Sequence, residues 1–210
     1  MFGKLITFEG QDGAGKSTHI PLVKDLIEKK FGVEVIVTRE PGGTPVSEKL
    51  REIMIHDKMH VETEALIMAA SRREHIHQVI EPALREGKWV ISDRYIDSSY
   101  AYQCGGHGLS VSKMNVLVQW STSTLMWPNG LLPDLTLMFT VSAEQARQRM
   151  SGRAFDKFEQ EDLAFFQRVD NAYRMRFNSD PTRFRLVNSN YFPEQVADVL
   201  KQAIENWNPE

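Results

Sequence analysis

Short apolar runs at residues 5–8, 33–38, 89–92, 135–141 and 184–187 have the length and composition of strands buried on both faces. Between them lie helix-like stretches at 17–30, 45–55, 62–86, 112–120, 143–149, 161–176 and 193–207, each long enough to cross a sheet face. Strand and helix alternate, so the pattern predicts an α/β fold, a parallel sheet with helices on both faces. Gly and Pro cluster at 41–43, 105–108 and 128–133, where loops are expected, and a polar stretch at 151–160 separates two helices. In open α/β folds ligands bind outside the carboxyl ends of the strands, so such loops commonly carry function.

With 210 residues, 41% of them hydrophobic, the chain can bury one sizeable core. No internal repeat, low-complexity tract or Ser/Gly linker divides it, so one domain over residues 1–210 is expected. A formal net charge of -3 provides no global basic field, which argues against nucleic acid as a partner. No segment approaches the roughly eighteen unbroken apolar residues of a membrane span, and the N-terminus enters a strand pattern without the features of a signal peptide. The single cysteine, Cys104, cannot form an intramolecular disulfide and fits a reducing compartment. These features predict a soluble, cytoplasmic chain without a membrane partner. The six histidines, including His56 and His60 and the pair His75 and His77, lack a convincing set of further metal ligands.

The most specific motif is Gly10-Gln11-Asp12-Gly13-Ala14-Gly15-Lys16-Ser17, set between a predicted strand and a predicted helix. This is the Walker A pattern in its required context. Its glycines let backbone N–H groups wrap phosphates and the helix N-terminus adds a favourable dipole. Lys16 then reaches the β/γ oxygens and Ser17 can ligate Mg²⁺. The expected ATP-binding set is Gly10, Gln11, Asp12, Gly13, Ala14, Gly15, Lys16, Ser17 and Thr18. A second element, Trp89-Val90-Ile91-Ser92-Asp93-Arg94-Tyr95, looks like a Walker B strand: Asp93 would hold Mg²⁺ directly or through water, and Arg94 offers a planar fork for phosphate oxygens. Mg²⁺ with the nucleotide, on Ser17 and Asp93, is the only metal expected.

Four ordered stretches together resemble bacterial thymidylate kinases: Glu9 to Ser17; Thr38-Arg39-Glu40-Pro41-Gly42-Gly43-Thr44; Ser92-Asp93-Arg94-Tyr95 with Ala101-Tyr102-Gln103; and Asp156-Lys157-Phe158-Glu159-Gln160. The resemblance implies transfer of the γ-phosphate of ATP to dTMP in dTTP synthesis. It also implies a P-loop nucleoside monophosphate kinase fold with a five-stranded parallel sheet, and a homodimer. Carried over residue by residue, it places Asp12 near the acceptor sugar and phosphate, and Arg94 on the acceptor phosphate. Arg72 falls on the thymine carbonyl, Ser98 and Ser99 at base-contacting polar positions, and Tyr102 against the sugar 2′ position, with Gln103 beside it. Glu40 and Pro41 belong to the loop that borders the acceptor. The stretch 151–160 resembles the family's mobile lid. Some relatives carry an arginine just after the Walker loop acid, where this chain has Gly13, so Arg153 and Lys157 are the candidate donors of charge to the transferring phosphoryl group. With Asp12, Lys16 and Arg94 they complete the expected catalytic set.

The chain departs from the family pattern at several positions. Met68 stands where relatives usually stack a phenylalanine on the base, and a thioether defines that geometry less sharply. Cys104 and His107 stand where many relatives carry glycine and arginine, Lys157 replaces an arginine, and Thr140 ends a strand where an acid is frequent. Two other readings use the same residues. One is a broader deoxynucleoside monophosphate or deoxynucleoside kinase, if Met68 loosens the base pocket. The other is a nucleotide-dependent switch with no small acceptor, which would not need the acceptor-side residues.

Overall fold

A computed structural model describes residues 2–150 and 156–209. The strands β1 (Leu5–Gly10), β2 (Val35–Arg39), β3 (Trp89–Asp93), β4 (Leu135–Thr140) and β5 (Phe184–Asn188) form one sheet in the order β2-β3-β1-β4-β5, every neighbouring pair parallel. All five predicted strands are present, and most run one or two residues past the predicted carboxyl end. Those extra residues include Gly10, Arg39, Asp93 and Asn188, so the strands deliver polar and glycine positions to one edge.

Side chains alternate across the sheet. Ile6, Phe8, Ile91, Leu137 and Phe139 pack with α1 (Lys16–Phe31) and α9 (Pro193–Glu205), while Leu5, Val90 and Met138 face the opposite layer. That layer contains α3 (Val61–His75), α4 (Glu81–Arg85), α6 (Val111–Thr122) and α8 (Leu163–Ser179). α2 (Pro45–His56) packs on α3, capped by the Thr44 side chain, which accepts from the Ser47 N–H. The predicted helix 62–86 is continuous, but relaxes into a π-helical turn at Ile76–Ile80 between α3 and α4.

The expected loop at 105–108 is a correction. Residues 96–106 are helical, first as α5 (Ile96–Ser99) and then as a π-helical segment, Tyr100–Gly106. The two glycines there serve packing. A Cβ at Gly105 would lie 2.5 Å from the Ala172 Cβ, and one at Gly106 2.4 Å from the Phe165 ring, so only glycine lets α8 approach. The chain runs from β1 to one side of the sheet, returns through β3, and crosses to β4 on the other side. The carboxyl end of β1 is therefore a topological switch point, where a ligand crevice is expected.

Candidate active site

β1 ends at Gly10 and the chain enters α1 at Lys16. The turn relies on left-handed glycines, Gly13 at φ 76 and Gly15 at φ 80, where a side chain is strained. Gly13 is constrained twice, because a Cβ there would sit 2.6 Å from the Ala146 carbonyl oxygen of α7 (Ala143–Met150). Packing of α7 on the loop thus excludes any side chain at position 13. Lys16 Nζ donates to the Gly10 and Gln11 carbonyls at 2.9 and 3.0 Å. Burial, and then the charge of Arg94, lowers its pKa against the opposing pull of Asp12, Asp93 and Glu9.

The loop opens on a polar cleft lined by Asp12, Gly13, Gly15, Lys16, Ser17, Thr18, Asp93, Arg94 and Arg149. The free N–H groups at the start of α1 suit an anion there. Asp93 Oδ1 is buried with no hydrogen-bond partner among the described residues. An anionic oxygen in that state is costly unless a cation meets it. With the Ser17 hydroxyl on the same cleft, it fits Mg²⁺, which takes few protein ligands and keeps its waters.

Arg94 is the one non-glycine with positive φ among the described residues, at 71°. Such a backbone is uncommon for a side-chain-bearing residue and recurs at functional positions. Its N–H continues the sheet ladder to the Phe8 carbonyl while its guanidinium reaches across the strand ends. Nη2 donates to Asp12 Oδ1 at 2.7 Å and to the Tyr102 hydroxyl at 3.2 Å. Nη1 donates to Gly10 O at 3.1 Å, Ser98 Oγ at 2.9 Å and the Tyr173 hydroxyl at 3.2 Å. The Tyr102 hydroxyl donates to Asp12 Oδ2 at 3.0 Å. Burial would raise the Asp12 pKa, but the charges of Arg94 and Lys16 and these hydrogen bonds hold it well below the usual carboxylate range. Beneath them, Glu9 accepts from Tyr95 N and from the Ser98 and Tyr173 hydroxyls, and burial together with the charge of Asp97 pushes its pKa up to about 7.

A second, more apolar cleft adjoins the first at Asp12 and Arg94. Pro41, Arg51, Met54, Met68, Ser98, Tyr102, Gln103, Asp156 and Phe158 line it. Of the residues the sequence singled out, Pro41, Met68, Ser98, Tyr102 and Gln103 meet on this wall. Arg72 and Ser99 do not join the lining but form a buried set with Glu40, which lines the polar cleft instead. Arg72, 1% exposed, donates through Nε to Glu40 Oε2 at 2.7 Å and through Nη2 to Tyr95 O and Ser99 Oγ at 3.0 and 3.1 Å. His75 Nδ1 lies 3.1 Å from the second Glu40 oxygen.

Of the lid candidates, Arg153 lies outside the described residues. Lys157 does not join the Walker loop: its Nζ pairs with Glu64 Oε2 at 2.9 Å and donates to Asp57 O at 3.1 Å, on the side of the second cleft. Four residues to which sequence reasoning gave no role complete the site. Arg51 lines both clefts and donates to Pro41 O at 3.1 Å. Tyr173 and Glu9 support Arg94 and Ser98 from below. Arg149, on α7, donates to Gly13 O at 3.3 Å and to Ser189 O at 2.6 Å, closing one side of the polar cleft. Each reads along the chain as an ordinary helix or strand residue; only the proximity of Glu9 to the Walker glycines was a signal.

The family model "Thymidylate kinase" matches residues 8–199. A thymidylate kinase of Methylobacillus flagellatus is 48% identical over 207 residues, covering 96% of this chain and 98% of that protein. One from a Janthinobacterium species is 53% identical over 204 residues, covering 96% of each. The crystal structure of thymidylate kinase from Ehrlichia chaffeensis superposes with a TM-score of 0.77 at 29% identity, covering 98% of both chains.

Proposed function

Since this chain belongs to the thymidylate kinase family and phosphorylates dTMP to dTDP with ATP, a step of nucleotide biosynthesis, we propose that the reaction is laid out along the two adjoining clefts. ATP takes the polar cleft, its phosphates on the backbone N–H groups from Gly10 to Thr18 and on Lys16. The acceptor takes the apolar cleft, its base against Met68 and beside Gln103, its sugar against Tyr102. Arg72, Ser99 and Glu40 hold that wall in shape from beneath, with Ser98 and Pro41 on its surface. The observation that carries this reading is the junction at Asp12 and Arg94, the charged residues common to both clefts with Arg51. Arg94 and Arg51 there suit the acceptor phosphate through paired N–H donors.

Phosphoryl transfer needs little covalent chemistry from a protein, and the acceptor phosphate oxygen is already anionic at neutral pH. The residues act by positioning and by spreading charge. Ser17 and the unpartnered Asp93 Oδ1 would hold Mg²⁺, which with ATP neutralises charge on the phosphate oxygens. Position 13 has no room for a side chain, so the lid segment at 151–160 supplies the transition-state cation, Arg153 first and Lys157 second. We also propose a homodimer, supported by the exposed apolar residues Leu66 of α3 and Val116 and Trp120 of α6, on helices packed side by side. No helix among the described residues is long and apolar enough to cross a membrane. We propose a cytoplasmic location, which the single cysteine, Cys104, supports.

The test is ATP turnover measured with and without dTMP, in the native protein and in Asp93→Asn. Turnover should require dTMP, and the variant should need a higher Mg²⁺ concentration for half-maximal rate. Turnover without dTMP, or an unchanged Mg²⁺ dependence, would contradict the acceptor and metal assignments respectively.

A further inference from the structure

Glu64 lies one helical turn before Met68 on α3 and is 2% exposed. Three side chains converge on it. Gln103 Nε2 donates to its Oε1 at 2.8 Å, His107 Nδ1 lies 3.2 Å from the same oxygen, and Lys157 Nζ pairs with its Oε2 at 2.9 Å. Burial would raise its pKa, but the hydrogen bonds from His107, Gln103 and Lys157 and the lysine's charge outweigh that and lower it. An ionised carboxylate can only accept hydrogen bonds.

That one-sidedness dictates the Gln103 amide. Either orientation of a glutamine amide has nearly the same shape, so the hydrogen-bond partners decide which one is populated. With Nε2 engaged by Glu64, the amide oxygen occupies the other branch of the trigonal group, on a residue that lines the cleft with Met68 and Ser98. No donor among the described residues reaches that oxygen.

We propose that Glu64 is a positioning residue for base selection, holding Gln103 so that its carbonyl faces the acceptor cleft and asks the base for a ring N–H. Thymine and uracil carry that donor at N3. Cytosine presents an acceptor at N3, and two acceptors face to face in a cleft are both left unpaired. Selectivity against cytosine thus originates one residue behind the contact surface, in the carboxylate that accepts from Gln103. His107 and Lys157 seat the same carboxylate from the turn after Gln103 and from the later part of the lid stretch, and His107 Nε2 lies 3.3 Å from Glu161 Oε1 beyond. The proposal deepens the assignment of this cleft to dTMP and rests on it.

Glu64→Gln keeps the volume but brings an N–H donor to face Gln103, which frees the amide to turn over. The ratio of kcat/KM for dTMP over dCMP should fall at least tenfold, mainly through a higher KM for dTMP. The dTMP over dUMP ratio and the KM for ATP should stay within threefold of the native values, because uracil keeps the N3–H. A merely loosened pocket would shift the dUMP ratio as well. Glu64→Met, which removes the acceptor without adding a donor, gives a second measurement if the first variant folds poorly, and should lower the dCMP discrimination too. Gln103→Leu separates the two levels of the reading. If Gln103→Leu lowers dCMP discrimination while both Glu64 variants retain it, the positioning role is overturned and the cleft assignment stands. If Gln103→Leu retains it as well, the cleft assignment fails and the proposal falls with it.

Discussion

At Arg94 the backbone sits at φ 71 and the guanidinium bridges Asp12, Tyr102, Ser98, Tyr173 and the Gly10 carbonyl. Those partners fix its plane before any ligand arrives, so little side-chain entropy is left to lose when it meets an anion. Removing it should therefore cost more than a surface charge would. For Arg94→Ala, loss of a held, charge-assisted fork should reduce kcat/KM for dTMP by about 2–4 kcal/mol of transition-state binding. Arg94→Lys keeps the charge but not the fork and should recover only part of it. Steady-state kinetics with dTMP and ATP varied separately measure both; a rise in the KM for ATP with normal dTMP kinetics would move Arg94 to the donor side. Met68 shows a different economy of the same wall. In place of a stacked ring it contributes a thioether, while Phe158 reaches the same cleft from the later part of the lid stretch.

Elements, rather than single residues, decide where the lid can act. α7 presses on the Walker loop through Ala146 at Gly13 and through Arg149 at Gly13 O and Ser189. The later part of the lid stretch, from Asp156 on, is tied to α3 through Lys157 and Glu64 and packs Phe158 edge-on against Tyr102 at 5.8 Å. Along the sequence, Arg153 falls between a helix that packs on the donor loop and a stretch, from Asp156 onward, that packs on the acceptor cleft. An arginine that meets the transferring phosphoryl group only on closure should lower the barrier with little effect on ground-state binding. Arg153→Ala should depress kcat by roughly 10²–10⁴ while changing the KM values far less, given the size of arginine-finger effects. Retention of more than about a tenth of kcat, at most about 1.4 kcal/mol, would make the lid a cover and not a catalyst. Lys157 is engaged by Glu64, so Lys157→Ala should have a smaller effect on kcat than Arg153→Ala.

At the scale of the whole molecule, an unpaired apolar face remains once the sheet and its two helical layers are packed. Val116 and Trp120 are 67% and 68% exposed on α6, and Leu66 is 57% exposed on the neighbouring α3. Residues one turn apart on α6 thus present their apolar side chains together, a costly arrangement for a monomer in water and a favourable one at a two-fold interface. Sedimentation equilibrium should give a dimer, and Trp120→Glu should shift it toward monomer with the far-ultraviolet circular dichroism unchanged. A native protein that sediments as a monomer would remove the homodimer. Because α3 also carries Glu64, Met68 and Arg72, a second copy seated on its outer face would stiffen the helix that forms one wall of the acceptor cleft.

Much of this was legible in the chain itself. Strand alternation with helices is a local pattern, so the five strands and the parallel sheet followed from the positions of apolar runs such as 5–8 and 89–92. The Walker glycines, Lys16 and Ser17 form a contiguous motif whose chemistry depends on backbone geometry that glycine dictates, and it too needed no tertiary information. What the chain could not announce were contacts between residues far apart in sequence. Gly105 and Gly106 look like loop punctuation, yet they lie in a helical segment because α8 approaches to within the space of a Cβ. Arg51, Tyr173, Glu9 and Arg149 resemble any polar or aromatic residue on a helix or strand until the fold draws them to the carboxyl edge. Arg72 is a matching arginine by motif, but its burial against Glu40 and Ser99 is set by how α3 packs on the sheet. The same holds for Glu64 and Gln103, thirty-nine positions apart, whose hydrogen bond decides which face of an amide the cleft presents. Local sequence specifies backbone conformation because sterics and hydrogen bonding act over a few residues, whereas the orientation of a polar side chain depends on whichever partner the packed fold brings within 3 Å.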